Sequence, residues 1–146
     1  MQHAVERVRA AVEAAHALPF SFTLTARAEN YLHGRPDLLD TIKRLQAFQE
    51  AGADVLYAPG LTSKEDITTV VRSVDRPVNV VMGLRGAQLS LAELSAIGVK
   101  RVSLGSALYR TALGAFLVAA REMREQGTFT FAKNAARPQE VGSIFG

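Results

Sequence analysis

Cysteine and tryptophan are absent from the 146 residues. Without thiols there is no disulfide, no thiolate metal site and no cysteine nucleophile. A reducing, cytoplasmic setting is the default expectation. Long apolar runs are missing too. No stretch reaches the roughly 18–20 residues that a membrane span requires. The opening MQHAVERVRAAVEAAH mixes acids and bases where a signal peptide would carry an apolar core. No membrane partner is expected. Charge of one sign is scarce: 17 Lys and Arg against 14 Asp and Glu leave +3. The basic residues are scattered along helical stretches rather than gathered in a patch, which argues against nucleic acid as a partner.

What is present is an apolar fraction of 48% in a chain long enough for one domain with a modest core. The hydrophobic pattern is a helix followed by four strand–helix units. Val5, Val8, Val12 and Ala15 recur at helical spacing over 2–16. Residues 20–27 then alternate, with Phe20, Phe22, Leu24 and Ala26 on one side and Ser21, Thr23, Thr25 and Arg27 on the other, which predicts a strand with two unlike faces. Leu38, Ile42, Leu45 and Phe48 mark a helix over about 37–51, with Gly52 suited to end it. ADVLYAPG (53–60) is a short apolar strand closed by Pro-Gly. Ser63-x-x-Asp66 opens a helix to about Ser73, RPVNVVMG (76–83) is the third strand, and Ser90-x-x-Glu93 opens a short helix closing at Gly98. KRVSLGS (100–106) is the fourth strand, and 107–126 a long helix ending before Gly127.

Strands alternating with helices every 23–33 residues or so predict parallel βαβ units in an α/β fold. Two architectures stay open on this pattern. In a doubly wound sheet both faces lie under helices, and strands read as continuous apolar runs. The polar Ser21-Thr23-Thr25-Arg27 face, with Asn79 and Ser103 in otherwise apolar strands, suits a barrel interior instead. An edge strand with one solvated face would give the same alternation. The half-barrel is expected over 1–127. Residues 128–146 are expected to form a tail, packed on its own domain or on another subunit, because Phe129, Phe131, Ile144 and Phe145 would otherwise be exposed.

LTARAENYL, EAGADVLYAPGL, RPVNVVMG and LAELSAIGVKRVSLGSALYRTALGAF resemble, in order and spacing, the C-terminal half of the isocitrate lyase/phosphoenolpyruvate mutase superfamily. The resemblance is nearest to its methylisocitrate-lyase-like and carboxyphosphonoenolpyruvate-mutase-like members and runs from about residue 4 to 131. It implies the C-terminal half of a (β/α)8 TIM barrel, four parallel strands with flanking helices. It also implies Mg²⁺-dependent cleavage or formation of C–C or P–C bonds in small 2-oxo or 2-hydroxy acids. In that family the acidic metal ligands and the mobile catalytic loop precede the part matched here. The resemblance therefore places Mg²⁺ in the complete enzyme and no metal ligand or catalytic residue on this chain. Two further departures are Glu29, where the family usually has Asp, and Pro59, where it often has Glu or His.

Arg27 matches the family arginine that grips a substrate carboxylate or phosphonate. A guanidinium is a planar fork that suits two oxyanion atoms. An ion pair with Glu29 is the other reading of the same residue. Glu29 would orient Arg27 or a water, or simply be a solvated loop residue. Asn79 is read as a satisfied core amide, with a substrate hydrogen bond as the alternative. Gly83, Gly105 and Ser106 stand at the ends of the last two strands, where barrels hold anions near a helix start; Ser106 can equally be a plain N-cap. His3, His16 and His33 have no partner at metal-ligand spacing.

The expected function is the C-terminal half of a lyase or mutase, inactive alone and acting with a missing N-terminal half on a small carboxylate or phosphonate. The alternatives are a non-catalytic half-barrel that associates with a second copy through unpaired strand edges, making a homo-oligomer, and a small-anion binding module.

Overall fold

The computed structural model of the chain describes residues 1–83 and 88–145. The elements are α1 (Gln2–His16), β1 (Thr25–Arg27), α2 (Leu38–Glu50), β2 (Val55–Tyr57), α3 (Lys64–Arg72), β3 (Val78–Val81), α4 (Leu91–Ala96), β4 (Arg101–Ser103), α5 (Ala107–Gln126), a 3-10 turn (Thr130–Asn134) and α6 (Pro138–Phe145). They fall into two compact units, Met1–Gly105 and Ser106–Gly146. The sequence-based boundary fell later, at 127/128; by contact, α5 goes with the C-terminal segment.

In the first unit the four strands form one parallel sheet in the order β1-β2-β3-β4. That order separates the two architectures left open by the sequence. A doubly wound sheet reverses its strand order at a switch point. Here each strand lies beside its predecessor with no reversal, and crossovers of one hand then put α2, α3 and α4 on the same face. The core shows that face. Leu45 and Phe48 of α2, Ile67 and Val70 of α3 and Leu94 of α4 pack with Ala26, Leu56, Val78 and Val80 of the strands. Val5 and Val8 of α1 pack against the same cluster. The opposite sheet face carries the other parity: Arg27, Tyr57, Asn79 and Arg101. The result is four parallel strands backed on one side by helices, the arrangement of a half-barrel.

Capping is local, and the sequence reads it well. Asp37, Ser63 and Ser90 each accept a hydrogen bond from the amide three residues on, opening α2, α3 and α4. Ser90 and Glu93 form a full capping box: the Ser90 amide and hydroxyl donate to one Glu93 oxygen at 2.9 Å each, and the Glu93 amide returns a bond of 3.2 Å to Ser90 Oγ. These bonds, the Ser90 amide first and then its hydroxyl, with Lys64 at 3.2 Å, lower the Glu93 pKa from 4.5 to about 2. A carboxylate whose folded pKa is depressed adds stability above its unfolded pKa and loses it as pH falls through the folded value. The contribution of Glu93 therefore fades between 4.5 and about 2. A carboxyl NMR titration is expected to place Glu93 near that lower value and to move it back toward 4.5 in Ser90→Ala. An unmoved midpoint in the variant would contradict the capping account.

The strands are shorter than their apolar runs. The expected strand 20–27 pairs only over Thr25–Arg27, opposite Val55–Tyr57. Upstream there is nothing to pair with, since β2 begins opposite residue 25. Leu24 instead ties to the start of β2: its carbonyl accepts from the Asp54 and Val55 amides at 3.1 Å, and its own amide donates to Asp54 Oδ2 at 2.8 Å. Phe20 and Phe22 are exposed.

In the second unit α5 runs its expected length and ends at Gly127, whose φ of 63° gives a left-handed C-cap. The Glu122 carboxylate of α5 accepts from the Thr128 hydroxyl at 2.8 Å and the Phe131 amide at 3.1 Å, which folds the 3-10 turn back toward α5. α6 was not foreseen. Among the described residues no helix is long and apolar enough to cross a membrane.

Candidate functional site

Strand register assembles the site. Arg27 pairs across with Tyr57, Tyr57 with Asn79, and Asn79 with Arg101. In a parallel sheet, residues in register project to the same face, so these four side chains form one row across all four strands.

At the β1 end, Arg27 Nη2 meets Glu29 Oε1 at 2.7 Å, and the guanidinium carbon sits 5.1 Å from the centroid of the Tyr57 ring. The cation thus lies within cation–π range of an aromatic face while staying open to water. The Arg27 side chain is 49% exposed. His33 Nε2 approaches the other Glu29 oxygen at 3.6 Å. Burial raises the Tyr57 pKa above its usual 10; Arg27 and Arg101 pull it down and Glu29 pushes it up. Tyr57 therefore keeps its phenol proton at neutral pH and can serve as a donor.

At the β3–β4 end, Asn79 is buried, with 2% exposure. Its amide nitrogen donates to Ser103 Oγ at 3.0 Å, and its amide oxygen accepts from Arg101 Nη1 at 2.7 Å. This locks the Asn79 amide in one orientation and draws the Arg101 guanidinium over β3. The core-amide reading of Asn79 and the ion-pair reading of Arg27 with Glu29 both describe geometry seen here, and neither geometry removes Arg27 from solvent.

Gly83 and Gly105 adopt positive φ, 76° and 52°, just past β3 and β4. Both are exposed turn residues and lie outside the row. Ser106 precedes α5 as its N-cap residue and makes no side-chain capping bond. GLRGA (83–87) reads from the sequence as a turn that matches no phosphate-loop pattern, and its residues 84–87 lie outside the described residues.

Tyr57 and Arg101 are members of the row that sequence reasoning passed over. Tyr57 read as one more apolar strand residue. Arg101 read as one more scattered base, although it shares parity with Ser103, a signal that was available. His16 Nε2 lies 3.1 Å from Asp54 Oδ2, a partner 38 positions away that no local spacing reveals. The Leu24 amide is the chief cause that lowers the Asp54 pKa, working against the cost of burial, with His16 and Arg76 adding to it. Among the described residues no group of three or more His, Cys, Asp or Glu could hold a metal ion.

A family model described as phosphoenolpyruvate phosphomutase matches residues 1–124. A candidate lyase/mutase from Burkholderia cenocepacia J2315 is 64% identical with a TM-score of 0.93, over 98% of this chain and 51% of that one. A 2,3-dimethylmalate lyase of the PEP mutase/isocitrate lyase superfamily is 27% identical with a TM-score of 0.79, over 98% and 50%. A phosphonopyruvate hydrolase solved with oxalate and Mg²⁺ is 25% identical with a TM-score of 0.75, over 97% and 52%. The chain thus spans about half the length of these structures, and 31% to 39% of curated relatives that are 33% to 40% identical to it.

Proposed function

The chain belongs to the phosphoenolpyruvate phosphomutase family, and on that premise we propose that its uncovered sheet face is the substrate-holding wall of a lyase or mutase acting on small 2-oxo or 2-hydroxy carboxylic acids. The observation that carries this is Arg27. It stands at the C-terminal end of a parallel strand, where α/β enzymes keep their sites. Tyr57 supports it from below and Glu29 pairs with only one side of its fork. A carboxylate or phosphonate can take the remaining donors in a charge-assisted contact. Tyr57 offers a phenol proton beside it. Cleaving a C–C or P–C bond next to an oxo group leaves negative charge on the departing carbon, and a cationic wall favours that state.

Magnesium accompanies one of the similar structures. The residues here do not fit it. The row offers two guanidiniums, a phenol and an amide, and its nearest carboxylate, Glu29, is already paired with Arg27. A divalent cation placed there would face more positive than negative charge. Because the row is one wall of a cavity, the isolated chain is expected to bind substrate-like acids without turning them over, the opposite wall coming from further βα units.

A second reading is self-association, favoured by α5. None of its 20 residues is buried, and Leu108, Phe116 and Val118 are among its exposed apolar side chains. Two free strand edges, one on β1 and one on β4, point the same way.

The test is oxalate titrated into the labelled chain and followed by amide NMR. Shifts are expected at Arg27, Glu29 and Tyr57, with affinity falling about tenfold in Arg27→Gln, a loss of one good charge-assisted contact. Oxalate shifts that ignore the substitution, or that fall on the helix-backed face, would refute the reading. Sedimentation of the same sample distinguishes monomer from dimer.

A further inference from the structure

We propose that His33 is a positioning residue which, through Glu29, sets by its own protonation how much of the Arg27 guanidinium stays open to an anion; this rests on the reading of Arg27 as a ligand-binding residue and adds a pH control to it.

The three side chains share one carboxylate. Glu29 Oε1 meets Arg27 Nη2 at 2.7 Å, and Glu29 Oε2 lies 3.6 Å from His33 Nε2. Each oxygen thus faces a different partner. The loop itself puts His33 there. The His33 amide donates to the Glu29 carbonyl at 3.2 Å, closing one helix-like turn, and side chains four apart then lie on the same side. The Asn30 side-chain amide fastens that turn by donating to the Arg35 and Asp37 carbonyls at 3.1 Å each. Tyr31 packs closely over Gly60, in the turn after β2.

Histidine is the side chain whose charge changes between about pH 8 and pH 5. The groups around His33 hold theirs. Arg7 of α1 and Arg44 of α2 line a cleft of about 430 Å³ together with Arg27 and Glu29, and Asp40 pairs with Arg44 at 2.6 Å. Arg35 lies in the same loop. Guanidiniums and carboxylates stay ionised across that range. Tyr31 keeps its phenol proton, its pKa raised first by burial and then by Asp66 and Asp37, and Tyr57 keeps its own.

With His33 neutral, Arg27, Glu29 and His33 carry no net charge, and the carboxylate compensates Arg27 alone. With His33 protonated the trio carries one positive charge, and two cations share the same carboxylate. Less of it then compensates Arg27, and the free side of the fork attracts an anion more strongly. His33 is 72% exposed and Glu29 41%, which keeps the effect on the scale of a surface ion pair.

The experiment is isothermal titration of the whole chain with oxalate at about pH 8 and about pH 5.5, at one low ionic strength. The carboxylates of the probe stay ionised in both buffers. Affinity is expected to rise about threefold on acidification, as one exposed ion pair implies. His33→Gln is expected to bind equally in the two buffers, at the lower affinity. His33→Arg keeps a cation in place and is expected to show the higher affinity in both. Glu29→Gln removes the carboxylate through which His33 acts, and is expected to bind more tightly than the native chain with no dependence on pH. A pH dependence that survives either Gln substitution would overturn the proposal. So would His33→Arg behaving like His33→Gln. If native affinity ignores pH while Arg27→Gln loses binding, this inference falls and the substrate-wall reading stands. If oxalate fails to bind, or binds regardless of Arg27→Gln, both fall.

Discussion

Replacing Leu56 with alanine is expected to lower the unfolding free energy by about 3 kcal/mol, within the 2–5 kcal/mol typical of a fully buried leucine. Leu56 has 0% exposure and lies on β2, an interior strand of the sheet. Its side chain belongs to the cluster that joins strands to α2, α3 and α4. Removing it costs the transfer energy of three carbons and leaves a void that backbone hydrogen bonds on both sides hold open. A domain of this size is stable by only about 5–15 kcal/mol, so one substitution would consume a large fraction of the total. Urea unfolding followed by circular dichroism measures the change. Leu39→Ala is the control. At 70% exposure it should stay within about 0.5 kcal/mol of wild type. A loss below about 1 kcal/mol for Leu56→Ala would mean that the sheet and helices do not share the core described here.

The second large effect is expected at Gly60, in the turn that closes β2. Its φ is +98°, and a Cβ built there would meet the Tyr31 Cβ at 2.8 Å. Alanine therefore adds backbone strain of about 1–3 kcal/mol to a collision with a side-chain stem that cannot swing away. Gly34 separates the two terms. Its φ is +69°, but nothing lies within 4 Å of the added carbon, so Gly34→Ala pays the strain alone. Gly60→Ala should thus be clearly the more destabilising of the pair. It should also reach the site. Tyr31 shares its loop with Glu29 and His33, and displacing it should shift their amide resonances and the Arg27–Glu29 contact. Equal losses for the two glycine variants would contradict the close approach of the two loops.

The parts of the fold that were legible in the sequence depend on neighbours a few positions away. Ser63, Ser90 and Gly127 mark helix ends because the hydrogen bonds and the left-handed turn involved are made within one helical turn. Strand lengths were read too long because a strand exists only where a partner lies beside it, and the alternation in 20–24 continues beyond the start of β2. α6 was hidden by its polar, proline-opened context. At the site, Asn79 was visible as a polar group in an apolar strand, Arg27 as the charge closing a polar strand face, and Glu29 as the carboxylate two residues after it. Tyr57 and Arg101 were not out of place by type, and their role comes from register across strands 22 to 30 residues apart. His16 with Asp54 lies further still beyond local reach.

The order and kind of elements through α5, most of the caps and the family of this chain were written in its amino acids alone, because periodicity and capping are short-range physics. Strand order was the work of the tertiary structure, and with it came the single helix-backed face and the row that sets Arg27 and Arg101 on one uncovered surface. No pairwise spacing in the chain encodes that row. It arises when parallel strands align in register and every crossover packs on the same side.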